Sequence, residues 1–272
     1  MAADVTNVEN ESAPVVPAPA RARRLELGPH RRRFLVVYGL LAGVLGVAVV
    51  GVVIFAGKSI SPGPKWSAWK PSGGGLGAAK QIAEQVGKSY RLPNGNQLVD
   101  VIAKAPSVSP ASNVTIPISL VAVRGPKASG DKIITVSPSD SIMYSLCGLG
   151  ASCAISAGKA SVQRGTLVRR EILELALYTF KYVGGVKNVI AFMPPAAGTQ
   201  PKYVVYLQKA DVSSELHTPL AQTLAAKTPK QSTIPSREVR AVESTTGRRV
   251  YSFSLSQAQT GDAVLVLAPI PA

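Results

Sequence analysis

Residues 34–57 read FLVVYGLLAGVLGVAVVGVVIFAG, an apolar run without one charged side chain. At ~1.5 Å of rise per helical residue, it crosses a hydrocarbon core ~30 Å thick with length to spare for tilt. A helix satisfies its own backbone hydrogen bonds, and in lipid that outweighs the weak helix propensity of its many Val and Gly. A cleaved signal peptide would carry a shorter apolar region, about 7–15 residues near the start, ending on a small-x-small site. This run is longer, starts late and ends in Phe55-Ala56-Gly57-Lys58. The sequence therefore predicts a single N-terminal transmembrane helix followed by an extracytoplasmic α+β domain.

Flanking cations orient that helix. Arg21, Arg23, Arg24, Arg31, Arg32 and Arg33 precede it closely, whereas only Lys58, Lys65 and Lys70 follow closely. The denser cluster stays in the cytoplasm, with Arg31, Arg32 and Arg33 at the membrane interface. The expected localisation is the cell membrane, single-pass, with the N-terminus inside and the bulk of the chain outside. Gly39, Gly43 and Gly46 fall on one helix face, where two helices can approach closely. The lipid bilayer and a homodimer through this helix are the partners these features imply.

Working outward, residues 1–33 are Ala/Pro/Val-rich with scattered charges and no hydrophobic period, a disordered basic cytoplasmic tail. Residues 58–76 form a tether rich in Gly, Pro and Ser. Trp66 and Trp69 interrupt it, and two readings stay open: indoles at the outer membrane interface, or indoles packed into the base of the domain. Residues 77–272 make up the extracytoplasmic domain.

Charge is uneven, 30 Lys and Arg against 15 Asp and Glu, and from Lys58 onward 24 cations face 11 acids. A basic outer part suits anionic lipid headgroups or an anionic surface polymer. An extracytoplasmic location argues against nucleic acid. Aromatics make up only 6% of the chain, so the core is built from Ala, Val, Leu and Ile, which favours sheets covered by helices.

Within the domain, helices are expected over 78–86, 166–183 and 213–226. The second has a broad apolar face of Leu167, Ile172, Leu173, Ala176, Leu177, Phe180 and Val183, and Gly184-Gly185 stops it. Strands are expected over 97–103, 114–124, 132–136, 188–193, 202–208, 251–256 and 263–267, with 188–193 and 202–208 forming a hairpin. Residues 227–249 read as an exposed polar loop. Val101-Ile102-Ala103-Lys104-Ala105-Pro106 echoes Val189-Ile190-Ala191-Phe192-Met193-Pro194, which suggests two helix–strand–strand units.

Cys147 and Cys153, the only cysteines, are spaced for a disulfide outside the cell. Histidine offers no metal site, because on this topology only His217 lies outside. Ser67-Ala68-Trp69-Lys70 and Ser156-Ala157-Gly158-Lys159 both fit S-x-x-K, but neither sits at a helix start in a cleft, and no K-T-G accompanies them. No G-x-S-x-G frames a serine. Glu171 and Glu174, beside Arg169 and Arg170, read as surface ion pairs rather than paired catalytic carboxylates. Arg237, Arg240, Arg248 and Arg249 read as solvated loop charges. The Gly73–Gly77 run lacks phosphate-loop spacing. The sequence thus points to no cofactor, no catalytic residue and a non-enzymatic binding or scaffold component of a bacterial envelope complex. Two alternatives are an envelope hydrolase or transferase acting on wall polymer or lipid-linked substrate, and a ligand-binding sensor.

Overall fold

Strand β5, Ser141–Cys147, alternates Ile142, Tyr144 and Leu146 with Met143, and all four are buried. A strand buried on both faces lies inside a layered fold. The structure, a computed structural model, describes residues 36, 37, 39, 40, 65–108, 115–125, 132–259 and 261–270. The chain divides into two units, Met1–Ser61 and Pro62–Ala272, and the fold below is that of the second.

Five helices and nine strands are described in it. The helices are α1 (Gly75–Gly87), α2 (Val162–Tyr182), α3 (Ser213–His217), α4 (Leu220–Thr223) and α5 (Ser236–Thr246). The other strands are β1 (Asp100–Lys104), β2 (Ser107–Val108), β3 (Ile116–Arg124), β4 (Ile133–Val136), β6 (Asn188–Phe192), β7 (Tyr203–Gln208), β8 (Val250–Gln257) and β9 (Ala263–Pro269). All join one mixed sheet in the order β1-β5-β6-β7-β8-β9-β3-β2, with β4 also on β3. The pairs β5/β6 and β3/β9 are parallel and the rest antiparallel. Helix α2 is the crossover that parallel pairing of β5 and β6 requires.

The sheet curls. In a flat sheet β4 would lie six strand spacings from β5, about 29 Å. Yet only residues 137–140 separate the two strands, and five steps of chain reach roughly 17 Å. The β4 edge must therefore bend back toward β5, and the sheet is a nearly closed barrel, with β1 on the other edge of β5. Its interior holds Met143, Ile190, Val204 and Tyr206 against Val121, Val123, Val136, Leu265 and Leu267. The alternate residues of the same strands, Ile142, Tyr144, Val189, Ala191, Val205 and Leu207, form the second core under the helices.

Helix α2 anchors that second core. Ser161 caps it by accepting the Arg164 backbone N–H at 3.2 Å. Gly185, at φ 79°, turns the chain away after its end. Fourteen of its 21 residues are buried, which takes cover from several sides. The sheet, α1, α5 and the segment around Trp66 supply it.

This architecture corrects the expected one. Among the described residues no helix is long and apolar enough to cross a membrane. The longest, α2, carries Arg164, Arg169, Arg170, Glu171, Glu174 and Lys181 and is a core helix of a mixed α/β domain. A membrane-spanning, single-pass architecture is therefore not what the described structure displays. Most of residues 34–57, with Gly43 and Gly46, lies outside the described residues, as do Arg31, Arg32 and Arg33. Val36, Val37, Gly39 and Leu40 are helical and exposed, and nothing lies within 4 Å of where a Gly39 Cβ would stand.

The paired helix–strand–strand units are corrected too. β6 forms a hairpin with the strand that follows it, β7. β1 does not, since β2 pairs with β3 at the other end of the strand order. The stretch 227–249 contains α5, and Pro219 divides the expected 213–226 helix into α3 and α4.

Candidate functional site

A cleft of about 870 Å³ opens where β4, the start of β6, the end of β7, the C-terminal end of α2 and α3 converge. Backbone bonds hold its walls together. The Lys187 N–H donates to Asp140 O at 2.8 Å, and the Lys209 N–H donates to Lys187 O at 2.9 Å. Asn188 is buried at its base and accepts the Tyr206 hydroxyl at 2.9 Å. Burial pushes the Tyr206 phenol up to about 12, so it remains a proton donor there.

The cleft is basic. Lys181, Lys187, Lys209 and His217 line it, facing a single carboxylate, Asp140. Lys187 already occupies that carboxylate, Nζ to Oδ2 at 2.9 Å. The hydrogen bond and then the charge of Lys187 hold the Asp140 carboxyl below its ordinary value. Lys181 is partly committed, donating to Leu216 O at 2.8 Å and lying 5.6 Å from the Trp66 ring centre. His217 Nδ1 is 2.6 Å from Ser213 O, so Nδ1 carries a proton and Nε2 is its second position for binding. Lys209 and His217 are exposed. The arrangement can attract and hydrogen-bond an anion, while paired-carboxylate chemistry has no second acid in this wall.

The residues singled out from sequence are scattered. Cys147 and Cys153 form a disulfide closing a loop after β5. Gly148 N–H donates to Cys153 O and Gly150 N–H to Ala154 O, both at 2.8 Å. Gly148 approaches Ala154 so closely that a side chain there would collide with its backbone.

Trp66 and Trp69 pack into the domain. Trp66 stands edge-on to Tyr178 and Tyr182, with centroids 5.5 and 5.6 Å away, and Trp69 lies 5.6 Å from Tyr178. Ser67 donates to Trp69 O at 2.5 Å and bonds the Tyr182 hydroxyl at 2.6 Å. It locks the docked segment, so residues 65–74 are not a free tether.

Glu171 and Glu174 are not surface ion pairs. Glu171 is wholly buried with both carboxyl oxygens lacking a hydrogen bond. Glu174 accepts from Tyr90 Oη at 2.6 Å and Arg170 at 3.2 Å. Arg170 is itself buried and bonds Glu238 on α5, Tyr90 and Ala225 O. Of the loop arginines, Arg249 pairs with Asp211 at 2.5 Å and Arg237 donates to Ala221 O at 3.3 Å. No group of three His, Cys, Asp or Glu side chains placed to hold a metal occurs among the described residues.

Sequence reasoning missed Lys181, Lys187 and Lys209. Each closes or opens an element: the β6–β7 pairing sets Lys187 against Lys209, and the end of α2, which leads into β6, brings Lys181 to the same cleft. No protein family, curated protein or solved structure matches the chain.

Proposed function

We propose that the domain is a non-enzymatic binding and scaffold module of the cell envelope, and that its cleft takes a segment of an anionic surface polymer. The observation that carries this reading is the charge imbalance: Lys181, Lys187 and Lys209 against one acid, Asp140. The excess of 24 cations over 11 acids from Lys58 onward supports it, because it draws a polyanion toward the surface. The Cys147–Cys153 disulfide supports an oxidising, extracytoplasmic compartment.

Binding of poly-L-glutamate and of polyphosphate to the full chain, titrated over a range of salt, tests the reading. The Lys187→Gln, Lys209→Gln double variant should bind about tenfold more weakly, with a shallower salt dependence. A control double variant, Lys227→Gln with Lys230→Gln, should bind as the parent does. Equal losses in both would mean diffuse surface attraction and would overturn the cleft assignment. In-cell crosslinking from Ala210, in the cleft wall, then identifies the partner: recovery of polymer supports the reading, and recovery of protein alone rejects the polymer.

A further inference from the structure

Arg164 is 8% exposed, and no carboxylate pairs with it among the described residues. Its Nη2 donates to Ala157 O at 2.7 Å, and its Nε–H is buried without an acceptor. A buried cation with no counter-charge is costly, and protein interiors ordinarily pair it. Arg164 lines a cavity of about 430 Å³ at the N-terminal end of α2, opposite to the end that borders the basic cleft. That volume lies within the range of small-molecule sites, roughly 300–1,000 Å³.

The wall chemistry is one-sided. Lys159 and the first turn of α2, with Ser161 and Gly165, supply positive potential, and no acidic residue lines the cavity. Ser161 Oγ accepts the Arg164 N–H and Gln231 Nε2, so its own proton remains available to donate. The rest is apolar, chiefly Ile155, Val168, Met193 and Pro194. Gly158, at φ 75°, lies so close to the guanidinium that any side chain there would displace it. The loop is therefore shaped around the arginine.

We infer that this cavity binds a small organic monocarboxylate, its carboxylate on Arg164, Ser161 and Lys159 and its apolar body against Ile155, Val168 and Met193. The guanidinium keeps Nη1 free, since Nη2 is held by Ala157 O and Nε is sealed in, and one such donor suits a single carboxylate, whereas a phosphate dianion would call for more cations than one exposed lysine adds. The site is separate from the basic cleft and does not depend on what the cleft binds.

Octanoate, octanamide and inorganic phosphate, titrated calorimetrically into the full chain, are the probes. Octanoate should bind and raise the melting temperature, while octanamide and phosphate should do neither at equal concentration. Arg164→Met should fold with an unchanged or higher melting temperature and lose octanoate binding at least tenfold. Lys159→Glu, an exposed change that places a carboxylate at the cavity mouth, should also weaken it at least tenfold and covers the case in which Arg164→Met fails to fold. The Lys187→Gln, Lys209→Gln variant should bind octanoate normally. Equal binding of octanoate and octanamide, binding of phosphate alone, no binding of any probe, or undiminished octanoate binding by Lys159→Glu would each overturn the assignment.

Discussion

Glu171 is a carboxyl group that folding takes from water without offering it a partner. Burial first, and the neighbouring Glu174 second, hold its carboxyl well above its usual range, with Arg170 opposing them. In the unfolded chain it ionises near pH 4. Between that value and the raised folded value the folded state binds more protons, so this group's contribution to stability falls as pH rises. Glu171→Leu should stabilise the domain by about 1–3 kcal/mol at pH 7, with the gain shrinking as pH approaches 4. Urea midpoints measured from pH 4 to pH 8 check this, and a pH-independent difference would refute it. The stretch Arg169-Arg170-Glu171-Ile172 shows why the sequence misleads at this scale. Charged residues on a long helix ordinarily face water, and nothing local reveals that α1 and α5 cover this face. Only Arg169, bonded to Glu243 at 2.6 Å, behaves as the surface reading expects.

At the scale of elements, the segment before α1 is held by aromatic edges and by two hydrogen bonds through Trp66. Its Nε1–H donates to Glu215 O at 3.1 Å, and its carbonyl accepts the Leu220 N–H at 2.7 Å, the donor that Pro219 exposes by ending α3. Trp66→Ala should cost about 2–4 kcal/mol. Trp66→Phe, which keeps the ring contact and loses the donor, should cost about 1 kcal/mol. Chemical denaturation separates the two, and indistinguishable losses would refute the role of the indole N–H. Legibility followed periodicity. α2 and the β6–β7 hairpin could be read because their apolar residues recur at the spacings their geometry dictates. α5 could not, because the residues it buries are Glu238, Val242 and Thr246, correctly spaced but two of them polar. Its inward face is recognisable only once Arg170 is seen to need Glu238.

For the whole molecule, the order of strands was beyond the sequence, since strand residues show which faces are wet but not which strand is the neighbour. In β8 the serine alternation does not even separate a wet from a dry face, since Leu255 is exposed like Ser254 and Ser256, and its pairing with both β7 and β9 is a tertiary result. The candidate site was legible only in part: the β6–β7 hairpin that sets Lys187 beside Lys209 could be read, whereas the β4 wall of the cleft comes from the curl of the sheet. The membrane expectation was drawn from residues 34–57 alone, and the described residues contain no spanning helix. One consequence lies in the placement of β9, which pairs Leu120 of β3 with Val264 and Leu255 of β8 with Leu265. A chain ending before Ala263 leaves β3 and β8 with facing, unpaired edges. It should be recovered as aggregate, with soluble yield at least tenfold below the parent, and a well-folded monomer would contradict this. The barrel thus closes on a late-arriving keystone. During synthesis the earlier strands must wait as an unsealed half-shell, and the quality of the finished domain rests on how well they are shielded in that interval.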